Sequence, residues 1–88
     1  MTLESERDRG ERAARLLADP LLAEAFDVIE AGLLSAWAAT TDNQERERER
    51  LWLMVKLLGR VKGHLVEAME TGKVARIQIE RDKERPRD

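Results

Sequence analysis

Apolar positions recur at helical spacing along two long stretches of the chain. Leu22, Phe26, Ile29, Leu33, Ala36 and Thr40 follow one another at steps of 4, 3, 4, 3 and 4. That spacing lines one face of a helix. Leu21, Ala25, Val28, Gly32 and Trp37 widen the stripe. Asp19-Pro20 punctuates its start, with Asp19 as N-cap and Pro20 as the first helical residue. The pattern predicts a helix over residues 20–40. Leu51, Val55, Leu58, Val61 or Lys62, Leu65 and Met69 repeat the spacing further on. Asp42 and Glu45 suggest a capping box before this second stripe. Thr71-Gly72-Lys73 suggests a stop, with Gly72 in the left-handed capping conformation. The second long helix is expected over residues 43–71.

The flanks are less patterned. Leu3, Ala13, Leu16 and Leu17 are the apolar anchors of a short first helix, expected over residues 5–18 with Ser5 and Asp8 as a weak capping box. Residues 74–79 fit a further helical turn or, through Ile77 and Ile79, a short strand. Helix is favoured, because no second strand exists to pair with it. Residues 80–88 are all charge apart from Pro86, and disorder is expected there. One helical domain over residues 1–79 is therefore expected.

Composition narrows the class. The chain has 88 residues, 42% hydrophobic and 39% charged, with 5 Gly, 2 Pro and 0 Cys. A disulfide framework, a thiolate zinc site and a cysteine nucleophile are excluded. Few Gly and Pro, no Tyr and abundant Leu, Ala, Glu and Arg oppose an all-β fold and favour helices. The expected fold is all-α: an antiparallel hairpin of two long helices with a short N-terminal helix. Residues 1–10 lack the apolar run of a signal peptide, and the run Leu51–Leu58 is broken by Lys56 and too short to span a bilayer. With a net charge of -2, a cytoplasmic location with no membrane contact is expected.

The balanced total hides a division. Residues 19–43 carry five acids and no base, whereas residues 44–72 carry five acids and six bases. The two long helices are thus oppositely biased.

Two helices also carry more apolar surface than one hairpin buries. Trp52, Leu53 and Leu57 lie off the stripe of Leu51, Val55 and Leu58, and Leu34 and Trp37 repeat the excess. The first helix could cover part of it through Leu16 and Leu17. A second copy of the chain, completing a helical bundle, is expected to cover the rest. Phe26, Leu33, Trp37, Trp52, Leu53 and Leu57 are the candidate interface residues.

Candidate chemistry is thin. His64 and Glu67 read H-x-x-E on one helical face, but the order is the reverse of a di-iron carboxylate motif and further ligands are missing. Ser5 and Ser35 have no base beside them. Glu24, Asp27 and Glu30 form an acidic face that solvates more readily than it ligates a cation. Gly59 and Gly63 are a small-xxx-small pair, which serves close helix packing. No enzyme activity, cofactor or metal is expected. Nucleic acid is a lesser expectation. Arg46, Arg48 and Arg50 are flanked by Glu, which leaves Lys73, Arg76, Arg81 and Lys83 as candidate contacts.

Ala36-Trp37-Ala38-Ala39-Thr40, the charged run Asp42 to Arg50, Leu51-Trp52-Leu53-Met54-Val55-Lys56 and Glu70-Thr71-Gly72-Lys73 resemble small helical proteins of tailed bacteriophages and prophages. The resemblance covers roughly residues 13 to 79. It implies a product made in a bacterial cytoplasm, with a role in head assembly or DNA packaging and an association with the virion. It carries no functional residue across. The expected function is a non-enzymatic assembly or adaptor protein that self-associates and docks another phage protein. A nucleic-acid accessory factor is the alternative. A host-directed inhibitor using the acidic helix stands third.

Overall fold

The structure, a computed structural model, describes residues 1–84. Three α-helices make up the fold: α1 (Leu3–Ala18), α2 (Pro20–Ala38) and α3 (Glu45–Glu84). The described residues contain no strand. The chain divides into a terminal unit, Met1–Ala18 with the chain from His64 onward, and a central unit, Asp19–Gly63.

Local chemistry sets the helix starts. The Thr2 side chain caps α1: its Oγ1 accepts from the Ser5 amide at 3.0 Å. Thr2 is therefore the cap, in place of Ser5, and α1 begins at Leu3. Asp19 caps α2, with Oδ1 accepting from the amides of Leu21 at 2.9 Å and Leu22 at 3.1 Å. Pro20, which has no N–H to satisfy, occupies the first turn. Asp42 does not cap α3. Gln44 stands before the helix instead, and its Oε1 accepts from the Thr41 amide at 2.8 Å.

The largest departure from the sequence expectation is at Gly72. No glycine of the described residues has a positive φ, and α3 passes through Gly72 and on to Glu84. Residues 74–79 are helical, and so are residues 80–84 of the segment expected to be disordered. Residues 85–88 of that segment lie outside the described residues. The reason Gly72 does not stop the helix lies in what faces it. A Cβ built on Gly72 would stand 2.6 Å from the Cα of Gly10 and 3.1 Å from the Glu6 carbonyl oxygen. Here glycine serves close approach of two helices, not a left-handed turn.

In the terminal unit α1 runs antiparallel to the second half of α3. Arg7 shares a groove with Met69, Gly72 and Arg76, while Leu16 lies further back along α3 beside His64, Leu65 and Ala68. The seam is made of small residues: Gly10, Ala13, Ala68, Gly72 and Ala75 are buried, with Ile79 at its far end.

In the central unit α2 and the start of α3 meet around residues 39–44. Arg48 Nη1 donates to Thr40 Oγ1 at 2.8 Å, and the guanidinium lies over the Trp37 ring at 4.3 Å. Leu51 is the one large apolar residue of this unit that is buried. Leu22, Phe26, Leu33, Val55 and Leu58 of the expected stripes are half-buried, whereas Ile29, Ala36 and Val61 are exposed.

Candidate functional site

α2 and the first half of α3 carry the features with most bearing on function. Two flanks of the central unit can be told apart by their side chains. One holds Trp37, Arg48, Glu49 and Trp52 around a single depression. Lys56 Nζ lies 5.7 Å from the centre of the Trp52 ring on the same flank. These cations sit over aromatic faces, which satisfies the rings while leaving both charged heads partly in water.

Elsewhere the unit presents uncovered apolar groups. Leu21 is 73% exposed, Val28 62%, Leu53 51%, Leu57 57% and Val61 57%. Scattered apolar residues on a surface need no explanation, but residues at helical spacing on one face do. Leu21, Ala25, Val28 and Gly32 stand at steps of 4, 3 and 4, and Leu53, Leu57 and Val61 at steps of 4. Nothing lies within 4 Å of a Cβ built on Gly32.

The expected interface residues therefore fall into three environments. Phe26 and Leu33 are half-buried on α2. Trp37 and Trp52 flank Arg48, with Trp52 47% exposed. Leu53 and Leu57 stand open. Leu16 lines a groove with Leu65 and Ala68 of the terminal unit, and Trp52, Leu53 and Leu57 stay exposed.

Lys73 and Arg76 share a groove of about 150 Å³ with Arg7 and Glu11. Their charge is partly answered at once, since Lys73 Nζ lies 3.4 Å from Glu70 and Arg7 lies 3.1 Å from Asp8. Arg81 and Lys83 are exposed in the last turns of α3, interleaved with Glu80, Asp82 and Glu84. There they favour the helix C-terminus electrostatically.

His64 meets Arg9, whose Nη2 lies 3.1 Å from Nε2 of the ring. Guanidinium only donates, so in this contact Nε2 is the acceptor. A cationic neighbour at that distance repels a metal dication. Among the described residues no group of three or more acidic or histidine side chains could hold a metal ion. Ser5 Oγ donates to the Thr2 carbonyl at 3.1 Å, and Ser35 lies within α2. Glu24, Asp27 and Glu30 are exposed. No described helix is long and apolar enough to cross a membrane.

Compared with known protein families, with curated proteins and with solved structures, the chain matches none.

Proposed function

We propose that this chain is a non-enzymatic assembly or adaptor protein that works through helix–helix contacts. In this reading α2 and the first half of α3 fold back as an antiparallel hairpin that presents apolar surface to another protein surface, a second copy of the chain included. One observation carries it: in the central unit a single large apolar side chain is buried while Leu21, Val28, Leu53, Leu57 and Val61 are each more than half exposed. A surface of that composition gains most when another apolar surface removes it from water. In this reading the role belongs to head assembly or DNA packaging in a bacterial cytoplasm, which is what the resemblance of its sequence motifs to small phage proteins implies. A nucleic-acid role draws less support, because the bases of the C-terminal half of α3 alternate with acids and Lys73 is paired with Glu70.

Lysine cross-linking of the full chain, purified and in the cell that makes it, tests the proposal. Lys56 and Lys62 flank the apolar positions on α3 and should join to another protein or a second copy. Absence of any intermolecular cross-link at these two lysines, together with binding to DNA or RNA at low salt, would overturn the reading in favour of nucleic acid.

A further inference from the structure

We infer that the chain is hinged where it passes between its two units, with α3 bending at Gly59–Gly63 and the chain giving way beside it at Asp19-Pro20. The inference goes beyond the assembly reading and stands without it.

The chain passes between the units twice, after Ala18 and after Gly63. The second passage lies in the interior of α3, where a continuous helix should act as a rod. Its packing says otherwise. Every residue from Gly59 to His64 is exposed. At 3.6 residues per turn these positions go round the helix more than once, so no face of it is covered there. On either side the helix is anchored. Leu51 is buried and Val55 and Leu58 are half-buried before the gap, while Leu65 is half-buried and Ala68 and Gly72 are buried after it. Elsewhere between Leu51 and Ile79 no exposed run is longer than three residues. His64 does meet Arg9, but both side chains are exposed.

The same stretch is weak as a helix in its own right. Glycine is the poorest helix former after proline, and two stand here. Nothing lies within 4 Å of a Cβ at either, so they do not serve close approach as Gly72 does. Lys56 and Arg60 stand four apart, a like-charge pair that weakens a helix, and residues 51–66 hold no acid to offset it. Sharp bends in helices gather at such glycines, and hinges are drawn from segments with few buried contacts.

A bend in α3 requires the other passage to give as well. Ala18, Asp19, Pro20 and Leu21 are all exposed. Asp19 alone separates α1 from α2, in an extended conformation at φ -68°, ψ 120°. Pro20 has no N–H, and the amides of Leu21 and Leu22 are held by Asp19 Oδ1. The first donors of α2 are thus answered by its own cap and not by the carbonyls of α1. Each unit keeps its own packing, the Gly10–Gly72 approach in one and the Arg48–Trp37 stack in the other, while the chain between them bends.

The chain has no cysteine, so pairs of nitroxide labels can be placed at will. M54C/Q78C spans the glycines on α3, and a straight helix would set its labels about 36 Å apart. E67C/E80C lies within the terminal unit at about 20 Å. With the labelled chain diluted in unlabelled chain, electron–electron double resonance should give a narrow distribution for E67C/E80C. For M54C/Q78C it should be broad and extend to shorter distances, and adding G59A/G63A should narrow it. Amide exchange gives a second readout. Protection of amides 63–67, which donate to the carbonyls of 59–63, should be at least about tenfold lower than that of amides 72–79, and G59A/G63A should raise it. A spanning distribution as narrow as the control overturns the hinge, and so does equal protection along α3. Breadth untouched by G59A/G63A overturns its placement at the glycines.

Discussion

Gly10 and Gly72 face each other across the α1–α3 seam so closely that neither position has room for a side chain. A Cβ on Gly10 would meet the Gly72 Cα at 2.6 Å and the Ala68 carbonyl oxygen at 2.9 Å. These are backbone atoms of a helix, which cannot swing aside as a side chain does. Gly10→Ala or Gly72→Ala must therefore push α1 away from α3. Overpacking of this kind costs about 1–3 kcal/mol, and the better helix propensity of Ala returns about 1 kcal/mol. A net loss of up to about 2 kcal/mol is expected. It should appear as faster amide exchange across α1 and a lower melting temperature. Unchanged exchange in α1 would show that the seam is not as tight as it stands.

The same pair shows where the sequence was legible and where it was not. Helical periodicity announced the two long helices, a few apolar anchors announced the first, and Asp19-Pro20 marked the start of α2 to the residue, because these signals are local. Gly72 after a stretch of apolar periodicity reads as a stop by the same local logic. Its real role depends on Gly10, sixty-two positions earlier, and no local window holds both. Ala68 and Ala75 escaped for a related reason. Alanine is scored as a weak anchor, yet in a seam set by glycine a small side chain fills the space and a leucine would not fit. The apolar residues off the main stripes, Leu53 and Leu57, could be read from spacing alone. That Leu16 would pack beside Leu65 and Ala68 could not. The Arg48–Trp37 stacking was hidden too, since a charged run rich in Arg and Glu looks solvated along its whole length.

Asp19 should matter to α2 out of proportion to its exposure. One carboxylate oxygen satisfies two amides at the start of the helix, and its negative charge lies at the positive end of the helix dipole. Asp19→Ala leaves both amides to water and is expected to cost about 1 kcal/mol. Asp19→Ser should recover most of it. Thermal denaturation of the three proteins at neutral pH makes the comparison, and equal melting points for Asp19→Ala and wild type would refute the capping role.

Arg48 ties the end of α2 to the beginning of α3 with one planar group. Nη1 reaches Thr40 Oγ1 at 2.8 Å while the guanidinium lies 4.3 Å from the centre of the Trp37 ring. Thr40 is itself held, its hydroxyl donating to the Trp37 carbonyl at 2.6 Å. Lysine keeps the charge but offers a compact ammonium, which cannot stack and reach Thr40 in the same pose. Arg48→Lys should therefore fall close to Arg48→Met in stability, both about 1 kcal/mol below wild type. Trp37 fluorescence should shift to the red in both as the ring gains water. A lysine variant matching wild type in stability and emission would reduce the role of Arg48 to charge alone.

Gly59 and Gly63 are the counterpart to Gly72. They share its helix and its residue type, and their four-residue spacing invites the same reading as a packing notch. Yet nothing lies within 4 Å of a Cβ at either position. Each therefore gives up backbone entropy on entering the helix and receives no close contact for it. Gly63→Ala should stabilise the chain by about 0.5–1 kcal/mol, and Gly59→Ala by a similar amount. The two should add, since four residues apart on an open surface they share no neighbour that must move. Both positions lie toward the Trp52 flank, away from Leu53 and Leu57, so the gain should be independent of protein concentration and of self-association. Melting curves across a tenfold concentration range read both effects at once. A loss of stability in either variant would reveal a close partner for this flank, and the glycine pair would then be a second seam like that of Gly10 and Gly72.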